Sequence, residues 1–329
     1  MVNIAINGFG RIGRLILRIG SKEKDFNFVA INDLTDAKTL AHLLKRDTVH
    51  GTFDAKVESG NDYISINGKK IKVISEKDLA KLPWKELGVD IVIESTGKFT
   101  KKEDLEQHLK SGAKKVLLSA PGKGGDVKTI VMGANHEQAK GLSILSNASC
   151  TTNSLIPVVQ VLDREFGIEA GFMSTVHAYT NDQRLLDLPH SDLRRSRSAA
   201  ANIIPTTTGA AKAVGDVFSH LKGKLDGLAF RVPVPCGSIT DFTCIVKKET
   251  TKEEVNAAVK KASETYLKGI LQYSEEPLVS SDIIGSNYSS IFDSELTIVH
   301  GKLVKVCTWY DNEWGFSARM VDMLKLMSK

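Results

Sequence analysis

The run Ser146-Asn147-Ala148-Ser149-Cys150-Thr151-Thr152-Asn153 leads directly into the apolar positions Leu155, Ile156, Val158, Val159, Val161 and Leu162. That pattern predicts a helix beginning at Cys150. Free backbone N–H groups at a helix start favour a thiolate, so the placement predicts a lowered thiol pKa and a candidate reactive thiol. The hydroxyls of Ser149, Thr151 and Thr152 add donors that suit an anion. On residue type alone a lone cysteine is more often a buried, inert residue, and the helix-start context leaves both readings open. Cys236, Cys244 and Cys307 fall in or beside strand patterns and read as core residues. His177, near the end of the strand-like run Thr175-Val176-His177-Ala178-Tyr179-Thr180, is either a general base for such a thiol or a structural histidine.

A second chemistry-bearing pattern is Gly8-Phe9-Gly10-Arg11-Ile12-Gly13. It follows an apolar strand and opens a helix. Gly8 permits a tight turn, Gly10 a close approach to a pyrophosphate, and Gly13 tight helix–strand packing. The helix start offers N–H groups to the phosphates. Asp33 follows Gly13 by 20 positions, at the end of the next strand. A carboxylate there accepts ribose hydroxyls and repels a 2′-phosphate, which favours NAD over NADP. Glu94-Ser95-Thr96-Gly97 and Ser119-Ala120-Pro121 follow later strands. They are either ligand-facing strand ends or plain polar loops.

Elements that position these groups alternate in the first half: strands at Val2–Asn7, Phe28–Asn32, Asp90–Glu94 and Val116–Leu118, with helices at Arg11–Ile19 and Lys102–Leu109. Thr100 and Glu103 form a capping-box pattern before the second of these helices. Such alternation predicts an α/β Rossmann-type parallel sheet. The second half is strand-rich (Gly171–Tyr179, Leu225–Val232, Ser238–Lys248, Leu296–His300, Lys302–Tyr310). It predicts an α+β domain with a mostly antiparallel sheet. Thr251–Leu267 is an amphipathic helix with Glu253 and Glu254 in its first turn, and a final helix covers about Ser317–Met327. We expect an NAD-binding domain over 1–149, completed by a C-terminal helix at about 312–329, and a catalytic domain over 150–311.

The chain's 329 residues suggest two domains at roughly 150 residues each. With 42% hydrophobic and 25% charged residues, it can bury a core without disulfides, which excludes a disordered chain or a disulfide mini-scaffold. The start shows no signal-peptide pattern, no apolar run is long enough to span a membrane, and the four cysteines lack metal spacing. A reducing, cytoplasmic setting is expected. The net charge of +5 points to small anions more than to nucleic acid or a membrane surface.

The runs Asn7–Arg14, Ser149-Cys150-Thr151-Thr152-Asn153 and Trp309-Tyr310-Asp311-Asn312-Glu313-Trp314-Gly315 closely resemble the phosphorylating, NAD-dependent glyceraldehyde-3-phosphate dehydrogenases. The resemblance runs along the whole chain. It implies Cys150 as nucleophile and His177 as its base. It implies Thr180 and Arg231 for the substrate phosphate, and Ser149, Thr151, Thr208, Gly209 and Arg195 for inorganic phosphate. Within Arg194-Arg195-Ser196-Arg197, which arginine serves is ambiguous by a residue or two. Gly8, Gly10, Arg11, Ile12, Asp33, Lys77, Ser119 and Asn312 are the implied cofactor contacts, with no metal, and the assembly implied is a homotetramer. Three departures stand out: Ser154 where relatives often carry a second cysteine, Phe316 in place of a tyrosine, and Gly237 and Thr240 in place of valines, expected to change only strand packing. The resemblance implies oxidation of glyceraldehyde 3-phosphate with phosphate to 1,3-bisphosphoglycerate, through a Cys150 thiohemiacetal and thioester. Two alternatives are an erythrose-4-phosphate dehydrogenase and a nucleic-acid-binding protein using the Arg194–Arg197 cluster.

Overall fold

Residues 1–329 are described by the computed structural model. It divides into two units: Met1–Ile130 with His136–Ala148 and Ser317–Lys329, and Val131–Asn135 with Ser149–Phe316. The division falls one residue before the expected boundary. The short run 131–135 and residues 312–316 belong to the second unit.

The first unit holds strands β1 (Val2–Asn7), β2 (Phe26–Asn32), β3 (Arg46–Asp47), β4 (Gly51–Thr52), β5 (Val57–Ser59), β6 (Tyr63–Ile66), β7 (Lys69–Ile74), β8 (Ile91–Glu94), β9 (Lys115–Leu118) and β10 (Ile144–Ser146). Its helices are α1 (Arg11–Gly20), α2 (Ala37–Lys45) and α3 (Lys102–Lys110). Eight strands form one sheet in the order β10-β9-β8-β1-β2-β7-β6-β5. Pairing is parallel from β10 through β7, and β6 and β5 add an antiparallel edge. Ile4, Ile6, Ile31, Val92, Ile93 and Leu117 are fully buried, as central parallel strands covered on both faces require. The Thr100–Glu103 capping box is not formed: Lys101 is the N-cap of α3, without a side-chain bond, and Thr100 is buried. A capping box forms instead on α6 (Lys252–Glu264), where Thr251 Oγ1 accepts from Glu254 N and Glu254 Oε2 accepts from Thr251 N.

The second unit is built on β11 (Ile168–Ala178), β12 (Ile204–Thr207), β13 (Leu225–Val232), β14 (Ser238–Val246), β15 (Leu271–Ser274), β16 (Ser290–His300) and β17 (Leu303–Tyr310). Their order is β12-β13-β11-β14-β17-β16-β15. Four of the six pairings are antiparallel; β11–β13 and β15–β16 are parallel. Helix α4 (Cys150–Phe166) lies against this sheet, with Leu155, Ile156, Val158, Val159, Val161 and Leu162 removed from solvent. Also present are α5 (Ala210–Val217) and the start of α7 (Trp314–Met327). Gly237 precedes β14 rather than lying within it. Its φ of +88° and a Cβ position only 2.3 Å from the Ser280 carbonyl oxygen demand glycine, so the expectation of a mere packing change fails there. Ser154, the other departure near α4, is buried and bonds the Thr308 hydroxyl at 3.1 Å.

Candidate active site

Ala148 has a φ of +58°, one of two non-glycine residues in the left-handed region. That strained residue immediately precedes the N-cap Ser149, whose Oγ accepts from Thr152 N at 3.1 Å. The helix therefore starts at Cys150, where the sequence pattern predicts it. Cys150 Sγ lies 3.4 Å from His177 Nε2. His177 comes from β11, opposite Arg231 of the parallel strand β13.

Two groups meet the far ring nitrogen. The Ala178 carbonyl oxygen lies 2.7 Å from His177 Nδ1, and Arg231 Nη1 lies 2.5 Å from the same atom. An arginine N–H only donates, so the two contacts at Nδ1 exclude each other as hydrogen bonds: in the tautomer protonated at Nδ1 the ring donates to the carbonyl, Arg231 Nη1 donates to that same carbonyl at 3.1 Å, and Nε2 is left to accept the thiol proton. Burial and then the Arg231 charge push the His177 pKa down to about 3. The ring is thus neutral across the ordinary pH range. Burial pushes the Cys150 thiol up, against the pull of Arg231 and of the Thr151 hydrogen bonds. The expected lowering at the helix start is therefore overturned, because desolvation outweighs the helix terminus. The resting pair is a thiol poised on a neutral imidazole.

Tyr310, within the run Trp309–Gly315, joins this site through contacts that its position in the sequence does not reveal. Its ring packs edge-on to His177 with centroids 5.9 Å apart. Its hydroxyl lies 2.8 Å from both Thr151 Oγ1 and Thr175 Oγ1, tying the first turn of α4 to β11. Alternation on β11 turns Met173, Thr175 and His177 toward the buried face.

The residues implied for phosphate lie in the same unit, Arg231 on β13 and the others on the loops and helix starts beside β11 and β12. Arg195 Nε donates to Thr206 Oγ1 at 2.8 Å, its Nη2 to the Thr207 carbonyl at 3.2 Å, and it pairs with Asp182 and Asp192. Thr206 lies opposite Ala229, two residues before Arg231. Gly209 is the N-cap of α5, and Thr208 Oγ1 accepts from Ala210 N at 3.2 Å. Thr180 N donates to Gln183 Oε1 at 2.9 Å. Arg197 pairs with Asp187 at 2.8 Å. Acids within the same loop therefore offset these two arginines of the cluster, leaving little basis for a nucleic-acid surface.

In the first unit, Gly8, Gly10, Asp33 and Lys77 line one cavity of about 600 Å³. Asn7, Asn32, Glu76, Ser95, Thr96 and Phe99 share its wall. Ser95 and Thr96 thereby line the same cavity as the glycine loop. Gly8 has a φ of +90° and packs against Ser95 and Thr96. Asp33 Oδ2 accepts from Phe9 N at 2.8 Å, which turns its carboxylate to the glycine loop. Beneath the wall, buried Glu94 accepts from Asn7 Nδ2 at 2.6 Å and from Thr96 N at 2.9 Å. Arg11 pairs with Asp47 at 3.1 Å and, like Ile12 and Ser119, does not line the cavity. Asn312 lies in the second unit, where its Oδ1 accepts from Gly237 N and Ser238 Oγ.

Two family descriptions match the chain: the glyceraldehyde 3-phosphate dehydrogenase NAD binding domain over residues 2–102 and the C-terminal domain of the same family over 149–312. Among curated proteins, the chain is 61% identical over 333 residues to the glyceraldehyde-3-phosphate dehydrogenase of Thermotoga maritima, covering 100% of both chains. It is 58% identical over 325 residues to that of Geobacillus stearothermophilus, covering 98% of this chain and 97% of the relative. It is 57% identical over 331 residues to glyceraldehyde-3-phosphate dehydrogenase 1 of Bacillus cereus, covering 100% and 99% respectively.

Proposed function

The chain belongs to the glyceraldehyde-3-phosphate dehydrogenase family, and we propose that Cys150, His177 and Arg231 carry its reaction, the NAD-dependent oxidation of glyceraldehyde 3-phosphate. The observation that carries this reading is the thiol–imidazole contact of 3.4 Å with a guanidinium beside the ring.

The first unit is the cofactor domain in this reading. Its residues suit a dinucleotide. A Cβ on Gly10 would meet no protein atom within 4 Å, so packing does not explain the glycine, whereas a pyrophosphate drawn close to the loop does. The N-terminus of α1 has no side-chain cap, which leaves its N–H groups for phosphate oxygens. Asp33 is the ribose acceptor. Lys77, Arg11, Ile12 and Ser119 complete the proposed set, and Asn312 holds the nicotinamide amide. NAD, when bound, supplies the acceptor for the hydride lost during oxidation.

Cys150 Sγ adds to the aldehyde carbon as its proton passes to His177 Nε2, which returns it to the alkoxide oxygen, giving a thiohemiacetal and restoring the neutral ring. In the oxidation step His177 Nε2 takes the hydroxyl proton of that intermediate, leaving a thioester on Cys150. The backbone N–H of Cys150 and the imidazole stabilise developing oxyanion charge. Inorganic phosphate then attacks the acyl carbon and expels the thiolate, giving the acyl phosphate. Arg231 and Thr180 hold the substrate phosphate; Ser149, Thr151, Thr208, Gly209 and Arg195 hold the incoming one. Arginine suits both by gripping two oxygens at once.

A homotetramer fits the outer face of the seven-stranded sheet. Phe172, Val176, Leu228, Ile245, Ile298 and Leu303 share that face by register and are all exposed, Phe172 by 74%. An apolar sheet face of this extent marks a contact with another subunit. No helix is long and apolar enough to cross a membrane. A cytoplasmic setting, which keeps Cys150 reduced, fits the four free cysteines.

The test is NADH formation from glyceraldehyde 3-phosphate with phosphate supplied or omitted, run beside Cys150→Ser. Strict phosphate dependence is expected. The variant should lose at least about a thousandfold in kcat while still binding NAD. Retained turnover in Cys150→Ser would remove the mechanism, and phosphate-independent turnover of erythrose 4-phosphate would favour that sugar instead.

A further inference from the structure

We propose that Ser238 is a positioning residue for the nicotinamide: its hydroxyl locks the Asn312 amide in the orientation that leaves NH2 as the donor, and joins it to the strand that carries His177. The proposal rests on reading Asn312 as the nicotinamide contact.

Two donors converge on one atom. Gly237 N at 3.1 Å and Ser238 Oγ at 3.0 Å donate to Asn312 Oδ1, while the Cys236 thiol stands 3.7 Å from it and gives its one proton to the nearer Asp311 Oδ1 at 3.1 Å. A backbone N–H can only donate, so the atom facing Gly237 is the oxygen, and the NH2 group points the other way. Gly237 itself is pinned, since its φ of +88° and the adjacent Ser280 carbonyl admit no side chain. On the chain side, Asp311 accepts from Gly285 N, Glu313 N and Trp314 N at 2.7–2.8 Å, which clamps the backbone around Asn312.

Ser238 is 1% and Asn312 6% exposed, so water does not readily replace the hydroxyl. The same Ser238 Oγ accepts from Ala178 N at 3.1 Å. A hydroxyl has one proton, and here it goes to Asn312 while the oxygen serves Ala178. The Ala178 carbonyl in turn holds His177 Nδ1 at 2.7 Å. One side chain thus spans the residue that orients the hydride acceptor and the residue that anchors the base.

A ligand pair isolates the effect without turnover. Binding of NAD and of ADP-ribose, which lacks the nicotinamide, is measured by calorimetry on the wild type, Ser238→Ala, Ser238→Thr and Asn312→Ala. Ser238→Ala should weaken NAD about three- to tenfold, the loss of one buried neutral hydrogen bond, with ADP-ribose unchanged. Ser238→Thr, which keeps the hydroxyl, should restore the NAD to ADP-ribose ratio. If Asn312→Ala separates the two ligands and Ser238→Ala does not, the role of Ser238 is overturned. If Asn312→Ala does not separate them, the underlying assignment of Asn312 falls, and the proposal with it. Should Ser238→Ala fail to fold, Ser238→Cys is read in the same way, because a thiol donates only weakly.

Discussion

Arg231 Nη1 stands 2.5 Å from His177 Nδ1, and the two residues face each other across the parallel pair β11–β13. A permanent cation beside the ring opposes imidazolium while it favours the thiolate of Cys150. The same guanidinium therefore keeps the base neutral, steadies the nucleophile, and is placed to hold an anionic substrate.

Arg231→Gln separates these roles. Without the charge, the His177 pKa rises toward its ordinary 6.5, only partly, because burial is the larger cause of its depression. The acid limb of kcat against pH should move to higher pH. Alkylation of Cys150 should also need higher pH, since the thiol loses a stabilising cation. KM for the phosphorylated substrate should rise on the order of ten- to a hundredfold, the loss of a charge-assisted contact. Unmoved pH profiles in both assays would contradict this account.

Acid stability carries the same signature. In the unfolded chain His177 titrates near 6.5, in the fold at about 3. Between those values the unfolded state holds one more proton, so stability rises with pH and falls as the solution is acidified from about 6.5 toward 3. One proton corresponds to about 1.4 kcal/mol per pH unit at full effect. His177→Asn removes that term. Denaturant unfolding at a series of pH values should show a shallower acid decline in the variant, and an identical slope would refute the assignment.

Tyr310→Phe keeps the ring against His177 and removes only the hydroxyl shared by Thr151 and Thr175. Both threonine hydroxyls are buried and would lose a partner. We expect a stability loss of about 1–3 kcal/mol in urea unfolding. We also expect a lower kcat with little change in KM for NAD, because the damage is confined to the first turn of α4 and to β11.

Much of this was readable in the chain because local rules act there. The glycine loop, the helix start at Cys150 and the parallel βαβ run follow from spacing and turn chemistry. Other features depend on what packs from a distance. The Thr100–Glu103 pattern obeyed a helix-start rule but lost to burial of Thr100, while the working box at Thr251–Glu254 went uncredited. Gly237 sits in a strand-like run, but its φ of +88° and its close approach to Ser280, 43 positions away, are not visible in local spacing. The Cys150 shift runs opposite to the helix-start expectation because a helix start is visible in sequence and desolvation is not. Tyr310 lay in a recognisable motif, but its role comes from two threonines far off in the chain.

Gly8 and Gly10, the first two of the three glycines in the Gly8–Gly13 pattern, differ in what requires them. Gly8 is required by the protein itself: its φ is +90°, and a Cβ would sit 2.6 Å from Thr96 N. Gly10 has neither constraint, since its φ lies outside the left-handed region and a Cβ there would meet nothing. Gly10→Ala should therefore fold with a melting temperature within about 2 °C of wild type, consistent with a change under about 0.5 kcal/mol. It should nonetheless weaken NAD, because the added methyl occupies the space that the pyrophosphate approaches. Gly8→Ala should lose stability by more than about 1 kcal/mol from the strained φ and the clash together. Thermal unfolding without ligand and NAD titration, run on both variants, check the pair. Full NAD affinity in a well-folded Gly10→Ala would show that the dinucleotide does not lie against this loop.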